Sequence, residues 1–420
     1  VSAAADFAYA PDVARSVLGF ALVLLGGCVS APVVARGGEV TPPRFAVDTH
    51  VHLTMAQAAA PLFHGEPGDG RPLTQSPRNR LENQVDAATL RAAGVRLVYG
   101  ALWPPLNARV GQSPLDAALG QVRRLEDFSL RRGDFALVGS ASAARAAVAR
   151  GAIAVFPQLE GAEGVGRVED VDRLYAAGVR CITLVHFVSS QLGGAAAGQL
   201  GKALVGSRGS PREPLGLTPL GRDVVRRMMA LGVVIDLAHA SDALAAEVLD
   251  LTEPAGVPVI VSHAGARALT EMERNVPDAL AQRVAAGGGL IGVTAFEAQL
   301  RVEPHGEQHR PGTCDDLVAH WRHFAQVVPP SALVLGSDFN SFITRAAPGG
   351  ACPRGLRNAG DLQDVWAALV ADGFPREALD DMGDRLLQLH ERVEAKADPR
   401  AQAEVLRQFP RSAVRGSAFP

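Results

Sequence analysis

FAVDTHVHLTM, residues 45–55, runs five mostly apolar residues into two histidines one residue apart, then a leucine and a polar turn. Side chains alternate faces along a strand, so His50 and His52 point the same way, and at the carboxyl end of a buried strand that way can be a cleft. Two imidazoles converging on one point suit a metal ion. An isolated His-x-His is more often one core histidine and one loop residue, so the rest of the chain decides.

Outward from that segment, short apolar or β-branched runs bounded by turn residues recur: VRLVYGAL (95–102), AIAVFPQLE (152–160), VRCITLVHF (179–187), VVIDLAH (233–239), VPVIVSH (257–263), GLIGVTAF (289–296) and ALVLGSD (332–338). With residues 44–52 they make eight. Between most of them lie segments of helical periodicity, among them 168–178, 218–232 and 277–288, each ending in glycine as a helix C-terminus does. Strands apolar on both faces, alternating with helices, predict an α/β fold with its parallel sheet closed as a (β/α)8 TIM barrel over residues 44–395. A doubly wound open sheet is the alternative, disfavoured because no glycine-rich phosphate loop follows the first strand.

In such barrels chemistry gathers at the carboxyl ends of the strands. Strand one ends in His50 and His52, and the third, fourth, fifth, sixth and eighth runs end at or beside Glu160, His186, His239, His263 and Asp338. So many potential ligands or bases at one end of the sheet make a poor coincidence. His64, His305, His309, His320, His323 and His390 fall in loops or amphipathic segments and are expected at the surface. The longest connections, from residues 189, 297 and 341, also follow strand ends and would ring the mouth.

The bulk numbers agree with a large globular unit: 420 residues, 47% hydrophobic and 20% charged. Lys plus Arg total 41 against 44 Asp plus Glu, which leaves no basic excess for a phosphate backbone and excludes nucleic acid as the expected partner. SVLGFALVLLGGC, residues 16–28, has an apolar run too short to span a bilayer, then small residues and Cys28. LGGC resembles the lipobox of bacterial lipoproteins. The expectation is a signal peptide over 1–27, a lipidated Cys28, a tether over 28–43 and a C-terminal tail over 396–420. Membrane association would then be through the lipid alone, at the bacterial cell envelope. Cys181 reads as a buried thiol; an exported compartment would permit a disulfide between Cys314 and Cys352, whose pairing the sequence leaves open.

LEG (159–161), GVRCITLVH (178–186), GLTPLGRDVVRRMMALGVVIDLAHAS (216–241), VPVIVSHAGARAL (257–269), RNVPDAL (274–280), GSDF (336–339) and GDRLLQLHERV (383–393) together resemble the membrane dipeptidase (renal dipeptidase) family of the amidohydrolase superfamily. The resemblance implies two zinc ions: one on His50 and the residue two further on, the second on His239 and His263, with Glu160 bridging them. It implies that His186 stabilises an oxyanion, that Arg274 grips the substrate's terminal carboxylate, and that Asp338 handles protons. The chemistry is coherent unaided, since imidazole and carboxylate suit zinc and a metal-bridging hydroxide is nucleophilic near neutral pH. The family usually reads His-x-Asp at the end of strand one, whereas this chain has His52. A second departure is Asn340, where many relatives carry aspartate.

The function these residues favour is a zinc-dependent dipeptidase. The alternatives carried with it are an amidohydrolase acting on another small amide or lactone, and a non-catalytic lipid-anchored binding protein. The last has no reason to keep Glu160, both distant histidines and Asp338 together. The sequence fixes neither the substrate side chains nor the oligomeric state, for which a homodimer is one option.

Overall fold

In the computed structural model, which describes residues 41–55, 84–103, 113–196, 216–301, 310–341 and 345–410, the predicted runs form parallel strands. They are β1 (Ala46–Val51), β2 (Val95–Leu102), β3 (Phe135–Leu137), β4 (Ile153–Glu160), β5 (Cys181–Thr183), β6 (Val234–Asp236), β7 (Ile260–Ala264), β8 (Leu290–Thr294) and β9 (Leu333–Gly336). Hydrogen bonding runs β1-β2-β4-β5-β6-β7-β8-β9 and back to β1, closing a barrel of eight. Helices lie between the strands, so the fold is the expected (β/α)8 TIM barrel. The residues of β1 and β4 are all buried, as strands covered on both faces must be.

One strand was not anticipated. β3 lies outside the ring and pairs with residues 153–155 of β4, on the edge whose carboxyl half, residues 158–160, meets β5. Three residues, two of them only partly buried, carry too little pattern to be read as a strand.

Helix positions follow from capping. In Pro219–Leu231 the Thr218 hydroxyl accepts the Gly221 N–H, proline occupies the first turn, and Val224, Val225, Met228 and Leu231 face the barrel. The helix stops at Gly232, which adopts φ 70° and donates its N–H to the Met228 and Met229 carbonyls. Near the chain's end, Met382–Lys396 closes the barrel against β1, with the Gly383 N–H bonded to Phe45 O at 2.8 Å.

Several expectations change. Residues from 396 onward are not simply a tail: Asp398 caps a further helix, Pro399–Gln408, which buries Val405 and is tied back by Gln402 Nε2 to Leu231 O at 2.9 Å. His320 and His390, expected at the surface, are buried. His320 Nδ1 accepts the Ala266 N–H at 2.8 Å, while His390 stacks on Phe156 at 3.9 Å and bonds the Tyr99 hydroxyl at 2.8 Å. Each imidazole finds partners that let a polar ring enter the core, which helical periodicity alone does not reveal. His323 is half-buried beside Asp278. His64, His305 and His309 lie outside the described residues, as do the expected signal peptide, Cys28 and nearly all of the expected tether.

Cys314 and Cys352 form a disulfide with Cα atoms 5.7 Å apart, and Cys181 is a buried free thiol. Among the described residues no helix is long and apolar enough to cross a membrane.

Candidate metal centre

At the carboxyl ends of the barrel strands the expected histidines and carboxylates meet around Glu160, the last residue of β4. Its Oε1 lies 3.3 Å from His50 Nε2, 3.2 Å from His186 Nε2, 3.3 Å from His239 Nε2 and 3.7 Å from His263 Nε2. Oε2 is 3.5 Å from His52 Nε2. Asp338, two residues beyond β9, brings Oδ1 to 3.3 Å from His52 Nε2 and 3.8 Å from His50 Nε2. All seven residues are buried, none more than 9% exposed.

The strand geometry explains the convergence. His50 and His52 share a face because they are two apart, and β1 pairs with β9, whose extension carries Asp338. His239 and Asp338 turn into the site on left-handed backbone, φ 64° and 59°, a conformation costly for residues other than glycine and found where function requires it.

The donor set fits a metal. His239 Nε2 and His263 Nε2 face one another at 3.2 Å, and His50 Nε2 and Asp338 Oδ1 are buried without a hydrogen-bond partner among the described residues. Lone pairs gathered this way repel unless a cation or proton lies among them. Three overlapping groups have ligand atoms close enough to share an ion: His50 with His52 and Asp338, His50 with Glu160 and His263, and Glu160 with His186 and His239. Electrostatics among these side chains agree. Burial opposes protonation of His50, but the Glu160 and Asp338 carboxylates outweigh it and push this imidazole up to about 9. For Glu160 burial is again the largest influence and is again overridden, here by His186 and His50, which hold the carboxyl well below its usual range. Burial keeps His239 and His263 neutral, as ligands must be.

A buried network orients the ligands. Asp236 of β6 accepts from Gln158 Nε2 at 2.9 Å, Thr183 Oγ1 at 2.6 Å and Ser262 Oγ at 2.6 Å. Gln158 in turn contacts His50 Nδ1 at 2.9 Å, and Ser262 Oγ contacts His263 Nδ1 at 2.9 Å. These partners fix which ring nitrogen faces the metal. Two residues before His50, Asp48 accepts the backbone N–H groups of Ser337 and His50, at 2.9 and 3.1 Å, tying β1 to the segment that leads to Asp338. Sequence reading missed this layer because Gln158, Thr183, Asp236 and Ser262 resemble ordinary strand residues; the usable signal was that Gln158 lies two residues before Glu160, on the same face.

Arg274 is brought to the same pocket. One nitrogen, Nη1, donates to His263 O at 3.1 Å, while Nε and Nη2 are buried without a partner among the described residues, and burial pulls the group down to about 10. Trp103 and Phe187 flank His186 with ring centroids at 5.3 and 3.8 Å, giving the mouth an aromatic wall. All the expected site residues except Cys28 thus converge. Where the family usually has aspartate, His52 presents Nε2 to both carboxylates. Asn340 exchanges hydrogen bonds with Gln84, its Oδ1 accepting the Gln84 N–H at 2.6 Å and its own N–H donating to Gln84 Oε1 at 2.6 Å.

A (β/α)8 barrel with histidines and carboxylates so arranged at its strand ends is a metal-dependent hydrolase of the amidohydrolase type. Comparison with known proteins narrows this class. The model of the family "Membrane dipeptidase (Peptidase family M19)" matches residues 39–404, and the chain belongs to that family. An uncharacterized dipeptidase of Schizosaccharomyces pombe is 32% identical over 214 residues, 50% of this chain and 46% of that protein. A second from the same yeast is 28% identical over 361 residues, 82% of each. Dipeptidase tcpJ of Claviceps purpurea is 29% identical over 243 residues, 56% of this chain and 51% of tcpJ. The chain therefore matches about half the length of the first and third of these relatives. Among solved structures, dipeptidase AC superposes with a TM-score of 0.65 at 19% identity, covering 84% of this chain and 99% of its own. A metallopeptidase from Rhodobacter sphaeroides, liganded with a phosphinate mimic of the dipeptide L-Ala-D-Ala, gives 0.64 at 19% identity, covering 84% and 100%. These two likenesses support the fold.

Proposed function

We propose that this chain is a zinc-dependent dipeptidase. The observation that carries the reading is the placement of an unpaired, buried Arg274 fork beside the cluster around Glu160. Two zinc ions, one held by His50 and His52, the other by His239 and His263, with Glu160 shared, would supply Lewis acidity and a water acidic enough to be nucleophilic near neutral pH. Arg274 Nε and Nη2 take the substrate's terminal carboxylate, a charge-assisted pairing that fixes the scissile bond over the cluster. His186, its Nε2 directed into the cluster, donates to the carbonyl oxygen as negative charge develops there. Asp338 Oδ1, buried and without a hydrogen-bond partner, accepts the proton of the attacking water and passes it to the leaving amine.

His52 favours a second reading. Exchanging a carboxylate for a neutral imidazole removes one negative charge, and the site then suits another small amide or a lactone as well. A panel of dipeptides, their C-terminal amides, N-acyl amino acids and lactones separates the two. Dipeptides should be cleaved roughly ten- to a hundredfold better than their C-terminal amides, the scale of a lost charge-assisted pair. A lactone or acyl amide leading the ranking, with no dipeptide turned over, would overturn the assignment. Metal analysis of protein purified without chelator should find about two zinc ions per chain, because five ligands exceed one tetrahedral set. The LGGC segment supports a further part of the proposal, a lipid on Cys28 anchoring the enzyme at the bacterial envelope. An unmodified Cys28 in the mass spectrum of the membrane-bound protein would refute it.

A further inference from the structure

We propose that Glu163 anchors the substrate's α-ammonium group while Arg274 takes the carboxylate; this rests on the dipeptidase reading. The segment EGAEG, residues 160–164, leaves β4 through Gly161, whose φ is 82°. The turn folds the Glu163 carboxylate back over Gly161 so closely that a Cβ there would lie 2.4 Å from Oε2 and 2.8 Å from Oε1. Glycine is required at this position for its backbone angle, and a side chain there would also displace the carboxylate from where it rests. The turn is also held from outside. Gln191 Nε2 donates to Val165 O at 2.5 Å, and the Val165 N–H closes on Ala162 O at 2.9 Å.

Burial pushes the Glu163 carboxyl up from its usual range, with the His186 imidazole opposing the shift and the Glu160 charge adding to it, which places the group beside both. Its Oε2 is buried and has no hydrogen-bond partner among the described residues. Glu163 belongs to none of the three groups able to share a metal. It is thus a carboxyl beside Glu160 and the histidine assigned to the carbonyl oxygen, with an acceptor to spare that a cation would answer.

A free dipeptide carries opposite charges at its two ends with the scissile bond between them. Arg274 answers the carboxylate. The ammonium sits on the carbon next to the scissile carbonyl, so it must fall close to His186, where Glu163 lies. An ammonium brings three donors to an acceptor that lacks one. Asp338 is left unpaired to carry the proton, which a permanent ion pair with the amine would hinder.

The test compares kcat/KM for a dipeptide, for the analogue lacking only the α-amine, and for the N-acetyl dipeptide, in wild type and Glu163→Gln. Wild type should prefer the free amine by roughly ten- to a hundredfold, and the variant should reduce that preference to within about threefold, mainly through KM. Zinc content and the penalty for amidating the C-terminus should not move. As a second variant, Glu163→Lys should favour acyl groups bearing a carboxylate in place of the amine. If Glu163→Gln keeps the wild-type amine preference, this assignment falls and the dipeptidase reading stands. If wild type turns over no dipeptide, both fall.

Discussion

Asp338 combines a left-handed backbone, a buried oxygen without a hydrogen-bond partner among the described residues and close approaches to the candidate ligands His50 and His52. Asp338→Asn keeps the volume but cannot accept the proton, so turnover should fall by roughly 100-fold or more in steady-state assays. Since Oδ1 lies within the same group as His50 and His52, zinc titration of that variant should also show one of the two ions bound more weakly. His52→Asp restores the carboxylate usual in the family. It should keep dipeptide turnover while holding the first zinc more tightly against a competing chelator, because an anion replaces a neutral ligand. The ligands themselves were legible because histidines and carboxylates at strand ends are conspicuous. Glu163 was not, since nothing in a string of letters shows a side chain folding back over a glycine.

At the scale of elements, the network on Asp236 binds β4, β5, β6 and β7 at the level where the ligands emerge. Besides Gln158, Thr183 and Ser262 Oγ, Asp236 accepts the N–H groups of Ser262 and Ala238 at 2.8 and 3.0 Å. Asp236→Ala leaves five donors unanswered in the core and should cost on the order of 3–5 kcal/mol in denaturant unfolding. Asp236→Asn, which keeps most of the shape, should fold better yet bind zinc roughly 10- to 100-fold more weakly, because Gln158 and Ser262, which orient His50 and His263, lose the carboxylate that holds them. The eight barrel strands could be read because strands covered on both faces are continuously apolar. β3 could not, being three residues lodged against half of one edge of β4. The helix Pro399–Gln408 had a readable start in Asp398 and Pro399, but its single buried residue, Val405, gives almost no apolar stripe.

The whole molecule should respond to acid through the closing helix. Burial pushes His390 down to about 3, with a smaller contribution from the positive charge of Arg180. The unfolded chain protonates this residue near pH 6.5 and the folded chain does not, so stability is lost as the pH falls from about 6.5 towards 3. Urea unfolding of His390→Leu between pH 7 and about 4.5 should show a shallower loss than wild type, although the variant starts lower for want of the Tyr99 bond. The bond between Cys314 and Cys352 acts on the same scale. It ties the chain into a ring spanning a separation of 38 residues, and β9 and Asp338 ride inside that ring. In a chain-entropy view such a ring removes about 3–4 kcal/mol of freedom from the unfolded chain. Chain made under reducing conditions should therefore melt several degrees lower than oxidised chain, and a thiol reductant should erase the difference. Asp338, to which we assign the proton, is borne on a loop whose ends cannot drift apart, so the proposed catalytic machinery inherits its persistence from the redox state in which the chain was made.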